Sequence, residues 1–178
     1  MRIIKLASIF SQLVQKILDF IKDSKMSALN LPAFETKTTV NDGKRQIFDT
    51  LRRCYVALTP EEWVRQHFVN YLCTAKGFPP ALMANEVQIM LNGMKKRCDT
   101  VVYDKELRPR VIVEYKAPTV KLTKEVFAQI SRYNLTLRVD YLIVSNGVQH
   151  YCCRMDYENN SYTFLQEIPD YERLLNTP

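Results

Sequence analysis

The sequence predicts an α/β fold on a single mixed sheet, in the order helix, three antiparallel strands, helix, strand (αβββαβ). Three observations predict it. A capped amphipathic helix precedes Gly77. Three apolar runs follow, joined by hairpin signals, between residues 86 and 116. A second helical repeat then separates the third strand from a fourth, and such a crossover makes those two strands parallel.

Residues 1–26 show helical apolar spacing at Ile3, Leu6, Phe10, Leu13, Val14, Ile17, Leu18 and Ile21, with Lys5, Gln12, Lys16, Asp19 and Lys22 opposite. Charges interrupt every apolar run, so no membrane span is expected, and no small-x-small cleavage site marks a secretory signal. This extra N-terminal amphipathic helix has three readings: a helix packed on the domain, a partner or membrane-surface helix, or a leader ahead of Met26. Residues 27–46 read as polar and irregular, with a turn at Gly43-Lys44-Arg45, and 47–58 as one or two short extended pieces. Thr59, Pro60 and Glu62 form a capping box with proline at the first helical position. Val64, Phe68, Tyr71, Leu72 and Ala75 form the buried stripe of that helix. Gly77 ends it, and Pro79-Pro80 prevents continuation.

The first strand is expected at about 86–91 and turns at Asn92-Gly93 into the second, about 97–103. A polar loop from Asp104 to Pro109 leads to the third, Arg110 to Lys116. A helix from Thr123 to about Leu137 follows, with Val126, Ile130, Tyr133 and Leu137 inward, then a strand over 141–145 and shorter strands at 148–153 and 162–165. The domain scheme is therefore 1–29 as amphipathic helix or leader, 30–170 as one domain, and 171–178 as a tail.

Composition narrows the function. With only four glycines the chain holds neither a G-x-x-x-x-G-K-[ST] phosphate loop nor a G-x-G-x-x-G turn. The net charge of +6 suits a polyanion such as nucleic acid. Cys54, Cys73, Cys98, Cys152 and Cys153 contain no C-x-x-C, and the only histidines are His67 and His150, so no zinc site is expected. An odd, scattered cysteine set reads as reduced cytoplasmic thiols.

The chemistry centres on the second and third strands. If the hairpin around 104–109 pairs regularly, 104 opposes 109, 103 opposes 110, and Asp99 opposes Glu114. Like charges there destabilise a sheet. Val101, Val102, Val111, Ile112 and Val113 mark both strands as buried on both faces, so the acids need compensation. A hard divalent cation such as Mg2+ (or Mn2+) supplies it, held by Asp99, Glu114 and the Tyr115 carbonyl. Lys116, two residues from Glu114, shares its face and would position an attacking hydroxide. The competing reading is a purely structural ion cluster. Gln129 and Tyr133 lie four apart on the next helix, on its inward stripe, where a glutamine needs a hydrogen-bond partner. Glu62 is explained by its cap and is also placed to add a metal ligand. Lys95, Lys96, Arg97, Lys121, Lys124, Arg132 and Arg138 surround the region as candidate phosphate contacts.

Asp99, Glu114-x-Lys116 and Gln129-x-x-x-Tyr133 on this element order resemble the PD-(D/E)xK, restriction-endonuclease-like superfamily. Ile47-Phe48-Asp49, the run Leu58 to Gln66, Lys96-Arg97-Cys98-Asp99, Val113 to Pro118, and Arg132-Tyr133-Asn134 resemble, more closely, the N-terminal nuclease domain of type I restriction enzyme R subunits, over about residues 30–170. The resemblance implies Mg2+-dependent DNA cleavage, with Asp99 and Glu114 as metal ligands, Lys116 as the catalytic lysine, and Gln129 and Tyr133 in support. It also implies DNA and modification, specificity or motor subunits as partners. Cys98 stands where the motif has proline. Full R subunits continue into an ATP-driven translocase, so a chain ending at Pro178 is expected to be a nuclease domain without its motor. The alternative is an inactive DNA-binding or assembly module of a restriction-modification or defence complex.

Overall fold

The computed structural model describes residues 28–91, 93–123, 126–127, 134 and 137–176. The expected N-terminal helix, Lys124, Gln129, Ile130, Arg132 and Tyr133 lie outside the described residues.

The strands described form two sheets. The smaller contains β1 (Thr38–Asn41), β2 (Lys44–Asp49) and β3 (Cys54–Ala57), paired antiparallel in that order. This corrects the reading of 27–46 as irregular. Asp42 and Gly43, both left-handed at φ +48° and +71°, make the two-residue turn, and Lys44 and Arg45 begin β2. Two positive φ values suit the right-handed twist of a tight hairpin.

The helix α1 runs Pro60–Ala75. The Thr59 side chain accepts from the Glu62 amide at 3.0 Å, and Glu61 and Glu62 sit favourably at the positive helix end. Gly77, at φ +69°, lies just past its end. Val64, Phe68 and Leu72 are fully buried, whereas Ala75 is exposed. Glu62, Arg65, Gln66 and His67 are buried too. The polar flank of α1 is thus covered, which a single amphipathic stripe does not anticipate.

The larger sheet has the order β4 (Met83–Leu91), β5 (Met94–Tyr103), β6 (Pro109–Tyr115), β7 (Tyr141–Ser145), β8 (His150–Asp156) and β9 (Ser161–Leu165). It is mixed: β6 and β7 run parallel, and the other neighbours antiparallel. In the crossover between β6 and β7, Val126, Phe127, Asn134 and Leu137 are helical. The strands β4 and β5 extend beyond β6 as a two-stranded arm ending in the Leu91–Met94 turn, with Met90 and Met94 exposed.

One face of the sheet packs on α1 through Val102, Val111, Val113, Tyr115, Tyr141 and Ile143. The other buries Val101, Ile112, Leu142, Val144 and Cys153 against Phe127 and Val139. Each fully buried aliphatic side chain contributes roughly 1.5–3 kcal/mol, so β6 and β7 are anchored on both sides. The C-terminal turn of helix Tyr171–Leu175 closes the first core, and the Tyr171 hydroxyl donates to the Tyr103 carbonyl at 2.8 Å. No helix among the described residues is long and apolar enough to cross a membrane.

Candidate active site

The β5–β6 hairpin has the expected register at Thr100↔Val113, Val101↔Ile112 and Val102↔Val111. It departs at both ends. At the tip a bulge after Val102 pairs Tyr103 with Pro109, not with Arg110. There the Asp104 carboxylate accepts from the amides of Glu106 and Arg108, at 3.0 and 2.9 Å, and shapes the loop. At the other end pairing stops at Thr100 and Val113, so Asp99 and Glu114 are not ladder partners. The strands part, and the Asp99 side chain bridges them: its Oδ2 accepts from the Tyr115 amide at 2.9 Å. A carboxylate stands where a backbone carbonyl would have been.

Glu114 is buried, and its Oε1 accepts from Lys116 Nζ at 2.9 Å. Its Oε2 is buried with no hydrogen-bond partner among the described residues. An orphaned carboxylate oxygen is costly. Burial, then the charge of Asp99, pushes the Glu114 carboxyl up to about 7, and Lys116 offsets this only in part. Burial likewise raises Asp99, against the pull of Arg65, the Tyr115 amide and Lys116. For Lys116, burial works against the charge, but Glu114 outweighs it and holds the ammonium above its ordinary range.

Three residues that sequence reasoning passed over belong to this cluster. Arg65, 4% exposed, is its hub. The guanidinium reaches Asp99 Oδ1 at 3.0 Å, Glu86 Oε1 at 2.5 Å and Glu62 Oε2 at 3.3 Å, and lies over the Tyr115 ring. Burial opposes its charge, but Asp99, Glu62 and Glu86 keep it firmly protonated. Glu86 has left-handed backbone, φ +59°, at the one break in the β4–β5 pairing. Its second oxygen pairs with Arg97 at 2.7 Å. Glu61 is raised by burial and by Asp99, which places it in the same field. Glu62 and Arg65 at i, i+3 and the neighbouring Glu61 were the available signals.

The remaining expected site residues are distributed as follows. Glu62 accepts from Gln66 Nε2 at 2.8 Å and pairs with Arg65 and Arg52, so its carboxylate is engaged inward beside the cap. Tyr115 offers its amide to Asp99 and its hydroxyl to Thr100 Oγ1 at 3.1 Å, away from the acids. That contact continues from Thr100 to Asn85, 2.6 Å, and from Asn85 to the buried Asp49, 2.9 Å, so a chain of bonds ties the site to β2. Lys95, Lys96 and Arg97 line the exposed half of β5, and Lys121 is exposed after the β6 terminus. Gln129, Tyr133, Lys124 and Arg132 are outside the described residues.

The donors of the cluster suit a divalent ion. The oxygens of Asp99 and Glu114 are hard ligands, and Glu114 Oε2 is the orphaned atom such an ion would satisfy. Among the described residues no three His, Cys, Asp or Glu side chains converge as a ready cage. The pair fits an ion that keeps several of its waters, as Mg2+ does.

A family model described as "Type I restriction enzyme R protein N terminus" matches residues 60–169, which spans α1 and both site strands. The chain belongs to this family. A solved structure, assigned to a fragment of an HsdR subunit of a type I restriction enzyme from Vibrio vulnificus YJ016, is similar to this R-protein N-terminal domain. Its TM-score is 0.49 and its identity 17%, over 66% of this chain and 25% of that one. The present chain thus corresponds to a quarter of that chain's length. A comparison with curated proteins returned no match.

Proposed function

We propose that this R-protein N-terminal domain is a Mg2+-dependent DNA endonuclease domain of the PD-(D/E)xK type, with Mn2+ as a substitute ion. The observation that carries the reading is the orphaned, buried Glu114 oxygen beside Asp99, with Lys116 2.9 Å from the other oxygen of Glu114. Asp99 and Glu114 would hold the ion, joined by the Tyr115 carbonyl and by Glu61 in preference to the engaged Glu62. Bound there, Mg2+ would acidify a water and withdraw charge from the scissile phosphate.

The chain's own groups supply the rest. Lys116, held protonated by Glu114, would donate to a phosphoryl oxygen as negative charge develops on it and orient the attacking water. Burial of the acids excludes competing water and strengthens each electrostatic contact. Lys95, Lys96, Arg97 and Lys121, with Lys124 and Arg132, would neutralise flanking phosphates. Gln129 and Tyr133 keep the supporting role that the family resemblance implies. Five free cysteines suit a reducing cytoplasm. Family membership supports modification, specificity or motor subunits as partners.

A second reading is a DNA-binding or assembly module without turnover. The Arg65 guanidinium, 3.0 Å from Asp99 Oδ1 where an ion would bind, favours it. Plasmid DNA with Mg2+ or Mn2+ separates the two, using wild type beside Lys116→Ala and Asp99→Ala. The nuclease reading expects cleavage that both substitutions abolish. Salt-sensitive DNA binding without cleavage by wild type selects the module, and cleavage unchanged in both variants refutes the site.

A further inference from the structure

Four charged groups alternate from the surface to the candidate metal ligand: Arg97, Glu86, Arg65 and Asp99, separated by 2.7, 2.5 and 3.0 Å. Arg97 is 60% exposed in its side chain and Arg65 only 5%. The middle of the acid cluster is therefore filled by a guanidinium. Glu86 adopts a left-handed backbone to deliver its carboxylate there. Such backbone is strained in a residue other than glycine and persists where its surroundings fix it.

We propose that Arg65 is a positioning residue that acts as the resident counter-cation of the site, shared between Asp99 and Glu86, and that Glu86 sets metal affinity by drawing Arg65 off Asp99. The proposal rests on the nuclease reading above. Asp99 Oδ1 faces either Arg65 or a metal ion, because two cations at one oxygen repel. Glu86 and Glu62 give the guanidinium somewhere to go. Arg97 competes for Glu86 from outside, so each member of the chain has a defined sign of effect on Asp99.

Those signs can be read without catalysis, by calorimetric titration of Mn2+ into the full chain. Glu86→Gln leaves Arg65 with Asp99 as its main partner, and Mn2+ should bind about tenfold more weakly, a coupling typical of charged groups in direct contact. Arg97→Gln, at an exposed position, releases Glu86 to Arg65, and Mn2+ should bind severalfold more tightly. Adding Arg65→Gln to Glu86→Gln should restore the wild-type affinity or exceed it. If Glu86 were itself a ligand, the double variant would stay weak, which overturns the proposal. Shifts of the same direction in Glu86→Gln and Arg97→Gln also overturn it, as does unfolding temperature moving while Mn2+ affinity stays constant. Absence of Mn2+ binding in wild type removes the metal-site reading as well. Binding in wild type with unresponsive variants removes only the counter-cation role.

Discussion

Glu114→Gln should make the domain more stable while abolishing the cleavage proposed above. The Glu114 carboxyl is carried from its ordinary 4.5 to about 7 by burial and by Asp99. The folded state therefore binds a proton more tightly than the unfolded chain between those pH values, and stability falls as pH rises through that window. At about 1.36 kcal/mol per pH unit, the loss above pH 7 is on the order of 3 kcal/mol. Glutamine fills the same volume without the charge. Its amide oxygen still accepts from Lys116, whose side chain is 20% exposed and can be hydrated, but the charge assistance is lost, at a cost of about 1–2 kcal/mol. The net expectation is a gain of about 1–2 kcal/mol at pH 8, or a rise of roughly 2–8 °C in melting temperature for a chain of this size. At pH 4.5 the gain should vanish or reverse. Thermal unfolding followed by circular dichroism at pH 4.5, 6 and 8 measures this. Mg2+ should narrow the difference at pH 8 by stabilising wild type alone. A variant less stable than wild type at every pH would refute the claim that Glu114 is held ionised at a cost to the fold.

Other outcomes follow from the same structure. Asp49→Asn keeps one oxygen for the amides of Leu51 and Arg52 but turns the other, which accepts from Asn85 and the Arg52 guanidinium, into a donor, and should cost about 2–4 kcal/mol in denaturant unfolding. Burial pushes Asp49 up, but bonds from Arg52 and Asn85 prevail and depress it, so its contribution is present at neutral pH and lost as pH falls through its lowered value. The acid limb of the wild-type stability curve should therefore be steeper than that of the variant. Lys95→Ala with Lys96→Ala should leave the unfolding free energy within about 0.5 kcal/mol of wild type and lower the salt slope of DNA binding by up to about 2, at ~0.9 per phosphate contact. Gly147→Ala should destabilise by about 1–3 kcal/mol in denaturant unfolding, since a Cβ at φ +80° would stand 2.6 Å from Leu29 Cδ2.

Much of the larger sheet was legible because its signals are local. Asn92-Gly93 joined two apolar runs, and the unbroken run Val111–Val113 declared a strand buried on both faces. The crossover dictated that β6 and β7 be parallel. The smaller sheet was not legible. Thr38 to Asn41 carries only one aliphatic side chain, Val40, which is 65% exposed, so alternation gave no sign of β1. Asn41-Asp42-Gly43 was the better turn signal there, and Gly43-Lys44-Arg45 drew attention one residue too late. At the site, symmetry of the hairpin placed Asp99 opposite Glu114 but could not show that pairing ends before them. That depends on how β6 leaves β5, a tertiary matter. Arg65 escaped notice because it neighbours Val64 on a helix read as having one buried stripe. With α1 covered on a second side, an arginine in that flank becomes a buried hub, and helical periodicity carries no mark of it.

The parting of β5 from β6 gives Asp99 a structural employment beside the one proposed for it. Its side chain replaces a missing rung of backbone, so a relative that had ceased to cut DNA would still need it to keep those strands in place. Lys116 joins no two strands: its ammonium bonds to Glu114, two residues away at the same strand end, so it compensates one buried acid and carries no rung of the sheet. Loss of function in this family should therefore register at the lysine before the aspartate, and an intact Asp99 taken alone says more about architecture than about chemistry.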